Sequence, residues 1–313
     1  MLANLLVVLP VFALILTGWI ARRSGALGPA ATREVNRLVV YLALPALLFD
    51  IMANASLEQV WQPRFILAFA LGCALVFCLT LWLRTRQGAK LADAAIDGLN
   101  ASYANTGFVG FPLVLALIGE SGMGPTLVAT ILTACVLFAI AIILIEATRQ
   151  SGARRRDIVR KTLFSLARNP LLVAPVAGAV VLLSGWTLPT QVDAFLSLLG
   201  GAASPCALIA LGLFLAGTAP QASAPQARTA SMLIGMKLVA QPAATWVIAG
   251  PLLGLPAVAT HTAVLLAALP TGTGPFMIAE LYQREALLTS RVVLVTTALS
   301  VATLPLVLAL VGN

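Results

Sequence analysis

The chain has 313 residues, of which 60% are hydrophobic and only 10% charged, and its mean hydropathy is +1.00. A soluble domain carries about 25% charged residues, so a water-soluble enzyme or binding module is excluded and a polytopic helical membrane protein is expected. The net charge of +8 invites a nucleic-acid partner, but the placement of the charges, traced below, points to topology and anionic lipid headgroups instead.

Ten apolar segments follow in order. Span one covers about 2–21 and ends at Arg22-Arg23. With no basic region before it and no small-residue cleavage site after it, it reads as a retained helix, not a signal peptide. Span two is 31–54, with Pro45 inside it, and span three is 62–83, followed by Arg84, Arg86 and Lys90. Span four, 91–118, is interrupted at Asn105, Thr106, Gly107, Gly110 and Pro112. Span five is 124–146. Residues 149–168 form a basic loop with seven Lys/Arg. Span six (169–186) opens on Asn169-Pro170, where proline suits the first turn of a helix. Spans seven (190–216), eight (229–250, with Lys237 and Pro242), nine (257–281) and ten (287–311) complete the chain. Span nine is interrupted by Pro270-Thr271-Gly272-Thr273-Gly274-Pro275.

With the N-terminus outside, every Lys and Arg except Arg64 and Lys237 falls on inside loops and flanks. The positive-inside rule then sets both termini outside and the 149–168 loop in the cytoplasm. An odd number of spans in each half makes the halves enter the membrane from opposite sides. Pro10 and Pro175 are offset by 165 residues, Pro45 and Pro205 by 160, as an inverted five-helix repeat would leave them. The expected domains are a first repeat (1–148), the basic loop (149–168) and an inverted second repeat (169–313).

Proline removes a backbone donor and glycine weakens a helix. In hydrocarbon, each freed backbone group must be satisfied by protein or trapped water. Two spans broken at mid-depth, running in opposite directions, bring half-helix ends together at the bilayer centre. The N-terminal half-helix ends suit an anion such as a carboxylate. Asn105 offers a donor and an acceptor to a ligand, or an interhelical hydrogen bond. Thr106, Thr271 and Thr273 line the cavity or cap half-helices. Lys237 lies roughly 13 Å into span eight at 1.5 Å per residue, too deep to snorkel. It is expected to face the cavity, hold a substrate carboxylate or stand in for a coupling cation. Asp97 pairs with Lys237 or carries a proton. Glu280, at the end of span nine, is the third candidate for ion coupling, and His261 is read as interfacial. The four cysteines have no metal or redox spacing and read as small core residues. No cofactor and no metal are implied.

The motif N-T-G-F-V-G-F-P-L resembles span four of the auxin efflux carrier family, which includes bacterial malonate-type permeases. Pro270, Thr271, Phe276, Ala279, Glu280 and Tyr282 fit the family's second crossover. L-P-A-L-L-F at 44–49, R-N-P-L-L-V-A at 168–174 and Lys237 with Pro242 fit as well. One departure is Gly272-Thr273-Gly274-Pro275, where many members have an A-V-N/T-like run. The resemblance implies ten transmembrane helices with broken, crossing helices four and nine, a scaffold like that of sodium/proton antiporters and bile-acid carriers. It also implies a secondary transporter of small organic anions such as mono- or dicarboxylates, with H⁺ or Na⁺ as a coupling ion or none. A bacterial inner membrane and a homodimer are further expectations. The alternatives are an ion-coupled carrier of another substrate, or an intramembrane serine protease, since Gly119-Glu120-Ser121-Gly122 resembles the G-x-S-G of rhomboids. Ten spans do not suit that layout, and no Walker loop is present.

Overall fold

The structure, a computed structural model, describes residues 2–148, 166–217 and 224–311. The expected basic loop therefore lies outside the described residues except for 166–168. The described residues are helical, with no β-strand. The helices that carry the fold are α1 (Leu2–Arg23), α2 (Ala31–Ala53), α3 (Pro63–Arg86), α4 (Leu91–Ser102), α5 (Thr106–Leu117), α6 (Glu120–Thr148), α7 (Pro170–Ser184), α8 (Thr190–Gly217), α9 (Gln226–Leu252), α10 (Ala257–Ala268), α11 (Gly274–Leu281) and α12 (Ala286–Val311). Six of them, α2, α3, α6, α8, α9 and α12, are long and apolar enough to cross a membrane. Each apolar segment expected from the sequence is helical, and the two interrupted ones are each two helices.

Local chemistry explains the boundaries. The side chain of Asn169 accepts from the amide of Leu171 at 3.0 Å and Pro170 occupies the first turn, so α7 starts there. It stops at Gly185, whose φ of 68° is a left-handed cap that glycine adopts without a Cβ clash. Large apolar side chains such as Leu75, Val180 and Leu306 sit on the outer surface, as lipid contact requires and water would penalise.

The helices pack in two groups. In one, α1 lies on the second half of α8, and α7 lies on α2. Their backbones approach closely because small residues line the seams. A Cβ on Gly212 would strike the carbonyl of Ile15, one on Gly18 that of Ile209, and one on Gly178 that of Phe49. In the other group, α4 packs between α3 and the end of α6, and α10 between α9 and α12. Nearly every residue of α4, and the second half of α10 from Thr262 on, is buried. These two short helices are the centre of the molecule, and both stop there.

Candidate functional site

The two interruptions meet. Between α4 and α5 the chain is extended at Tyr103 (φ −84°, ψ 93°), and Leu269 is likewise extended past the end of α10 (φ −57°, ψ 152°). Ala104 and Thr271 form an antiparallel bridge, with Asn105 N–H donating to Pro270 O at 2.9 Å and Gly272 N–H to Tyr103 O at 3.0 Å. Thus the backbone groups freed by the two breaks satisfy one another. Thr271 fixes the crossing further. Its hydroxyl donates to Asn100 O at 2.8 Å, and its amide to the Thr296 hydroxyl at 3.1 Å. Asn100 in turn donates to the Thr289 hydroxyl at 3.0 Å.

The carbonyl ends of α4 and α10 are held from α9. Lys237 Nζ donates to Ala267 O at 2.7 Å, and Gln241 Nε2 to Ser102 O at 2.8 Å. Both side chains are fully buried. A cation at the last carbonyls of a helix complements the negative end of its dipole. Lys237 therefore lies behind the crossing and does not line the cavity in front of it. Asp97 is not its partner: the Asp97 carboxylate takes Arg84 Nε at 2.6 Å.

In front of the crossing is a cavity of about 320 Å³. One wall is the crossing itself, with Tyr103, Asn105, Thr106, Gly107, Thr273 and Gly274. The facing wall comes from Leu44, Leu47 and Ile51 of α2 and Gly200, Ser204 and Pro205 of α8. Both second half-helices, α5 and α11, start at this cavity and turn their amide ends toward it. Pro275 stands in the first turn of α11, where a helix needs no donor. The Asn105 amide and the Tyr103, Thr273 and Ser204 hydroxyls have no hydrogen-bond partner among the described residues, whereas the Thr106 hydroxyl pairs with that of Thr133 at 3.1 Å.

Of the residues singled out from sequence, Asn105, Thr106, Gly107 and Thr273 line this cavity. Pro270, Thr271 and Gly272 build the crossing strand. Gly110 is packed against the side chains of Leu266 and Leu269. Pro112 is exposed on α5, Pro275 is buried, and Glu280 is half-buried at the end of α11. Among the described residues no hydrogen bond joins Ser121 to His261. Sequence reasoning missed Tyr103, whose ring fills the space left by two glycines: a Cβ on Gly272 would lie 2.7 Å from it and one on Gly274 2.9 Å. The unusual G-T-G run was the available signal. It also missed Gln241, four residues after Lys237 and so on the same face.

Residues 5–308 match the family model described as "Membrane transport protein". The chain belongs to this family, that of the auxin efflux carriers. The "Putative malonate transporter" of Rhizobium meliloti (strain 1021) is 30% identical over 301 residues, 95% of this chain and 92% of that one. An uncharacterized transporter of Escherichia coli (strain K12) is 29% identical over 216 residues, 66% of this chain and 67% of its own. Auxin efflux carrier component 8 of Arabidopsis thaliana is 25% identical over 315 residues, 84% of each chain. These relatives are transporters, not enzymes. This membrane transport protein is accordingly a multi-pass membrane protein that moves a solute.

Proposed function

We propose that this protein is a secondary transporter of small organic anions, with the substrate held in the cavity in front of the crossing. The observation that carries this reading is the paired start of α5 and α11 at one cavity that also holds unpartnered polar side chains. Each helix start carries about half a positive charge and free amides, which suits a carboxylate. The malonate transporter relationship supports the same substrate class.

The reading includes ten membrane crossings arranged as two inverted five-helix repeats, in residues 1–148 and 169–313. Packing supports it. The contact of α1 with α8 and that of α7 with α2 exchange under such a repeat, as do α3 on α4 and α9 on α10. The charge distribution supports both termini outside, and the short central loop with the family resemblance supports a bacterial inner membrane.

Access would alternate by movement of α1, α2, α7 and α8 against the group that holds the crossing. Toward the Arg-rich end, Asn36 Nδ2 of α2 donates to Met277 O of α11 at 3.3 Å. There the Phe214 ring of α8 meets Phe276 edge-on at 5.4 Å. In this reading these contacts are the gate on that side and must part for release. Lys237 acts as a built-in cation at the crossing, where a coupling ion would otherwise be required, so the carrier is an anion uniporter driven by membrane potential.

Flux of radiolabelled malonate and simple monocarboxylates into proteoliposomes tests this. Uptake should follow an inside-positive potential without a sodium gradient. If no carboxylate moves, the anion reading fails; if movement requires sodium, the uniport reading fails.

A further inference from the structure

Building on the organic-anion reading, we propose that the cavity takes its substrate as a monoanion: a monocarboxylate, or a dicarboxylate with one acid group neutral. A dianion would be discriminated against.

The argument is a count of charges. Among the described residues no Lys, Arg or His lines the cavity. Of the helices that form its walls, α5 carries no ionisable side chain at all, and α11 carries only Glu280. Helix α8 contributes Asp193, and α6 contributes Glu120 and Glu146. On α2 the basic residues Arg33 and Arg37 are at the far end, with Glu34 between them, and both pair with it. The charge on α2 closest to the cavity is Asp50, beside Ile51. The Asn54 amide joins Asp50 and Asp193 at 2.8 and 2.7 Å. Helix α4, which leads into Tyr103, has Asp97 and Asp93, and these are bound to Arg84 and Arg284 at 2.6 Å each. The buried cation behind the crossing, Lys237, bonds to Ala267 O, and its charge offsets the two carbonyl ends of α4 and α10, about half a negative unit each.

What remains to meet a negative charge is neutral or fractional. Two helix starts of about half a unit each sum to about one positive charge. The Asn105 amide and the Tyr103 hydroxyl donate without adding charge. A single carboxylate is matched by this set. A second one would face Leu44, Leu47, Phe108 and Phe111, with no counter-charge in a low-dielectric wall. That wall instead suits a methylene, an ester or a short aliphatic tail.

The test is binding of radiolabelled malonate to the purified full-length protein from about pH 5 to pH 8, with monomethyl malonate, a permanent monoanion across that range, as competitor. The half-ester should compete equally at every pH. The apparent affinity for malonate should fall about tenfold for each pH unit above its second ionisation, because only the singly protonated form binds. Malonate binding that holds or strengthens at pH 8 while the half-ester competes poorly would overturn the monoanion inference and leave the organic-anion reading intact. If neither these ligands nor propionate binds at any pH, both readings fall.

Discussion

Lys237 and Gln241, one helical turn apart on α9, each hold the last carbonyls of a different broken helix. The charged residue serves α10 and the neutral one α4. One helix thereby fixes where both interruptions occur and how they cross. Replacing Lys237 by Ala removes the ammonium and leaves a void in a fully buried site, with an expected loss of about 2–5 kcal/mol. Gln241→Ala leaves Ser102 O without its donor and should lose about 1–3 kcal/mol. Thermal unfolding of the purified variants checks both, and Lys237→Ala should lose more.

The ring of Tyr103 occupies the notch made by Gly272 and Gly274. An alanine at either position puts a methyl within 3.0 Å of that ring, so the ring must swing toward the cavity or toward Phe138, 5.7 Å away. Gly272→Ala and Gly274→Ala should each weaken substrate binding. The double variant Gly272→Ala with Tyr103→Ala should recover part of the thermal stability lost in Gly272→Ala, because the clash is gone, while its binding stays weak without the Tyr103 hydroxyl. Thermal unfolding of the three variants, beside their binding isotherms, distinguishes this from general misfolding, which a second substitution would not repair.

Asp97 is buried and bound to Arg84, which is itself mostly covered. Its second oxygen, Oδ1, has no hydrogen-bond partner among the described residues. Removing one member of such a pair strands the other charge, at a cost of about 3–5 kcal/mol. Asp97→Ala should therefore destabilise strongly. The double variant Arg84→Met with Asp97→Leu should be much closer to the parent, and unfolding curves of the two provide the check.

Glu285 lies in the turn between α11 and α12. Burial, and then the neighbouring Asp93 carboxylate, push its acid group above the ordinary carboxylate range, against the opposing pull of Arg84 and Arg284. A raised folded-state value means that the folded protein favours the protonated form. Its stabilising effect is complete below the ordinary carboxylate value of about 4.3 and is lost as pH rises through the elevated one. Glu285→Gln should thus raise the melting temperature at neutral pH and leave it unchanged in acid.

Much of the architecture was legible because the bilayer imposes simple rules. Long apolar runs became helices, and glycine with proline inside such runs marked the two breaks. The sequence placed both breaks near the middle of their apolar runs, and the structure joins them at Ala104 and Thr271. The partners of the charges were not legible. Lys237 was recognisable as too deep for solvent, yet its target is a backbone carbonyl 30 residues away, and a carbonyl leaves no trace in side-chain identity. For Asp97 the sequence leaves open a pairing with Lys237 or a proton-carrying role, and the partner it takes is Arg84, at the end of the preceding helix. The roles of Pro112 and Pro275 were also finer than a sequence could reveal: both start helical turns, one on the surface and one in the core.

The direct measurement is uptake of radiolabelled malonate and monocarboxylates by proteoliposomes bearing the parent protein or Asn105→Ala. A hydrogen bond to a charged group supports about a ten- to hundredfold change in affinity. With the fold intact by thermal unfolding, Asn105→Ala should raise KM by that factor for whichever acid is carried. An unchanged KM and rate in the variant would contradict a substrate site at the crossing of the two broken helices.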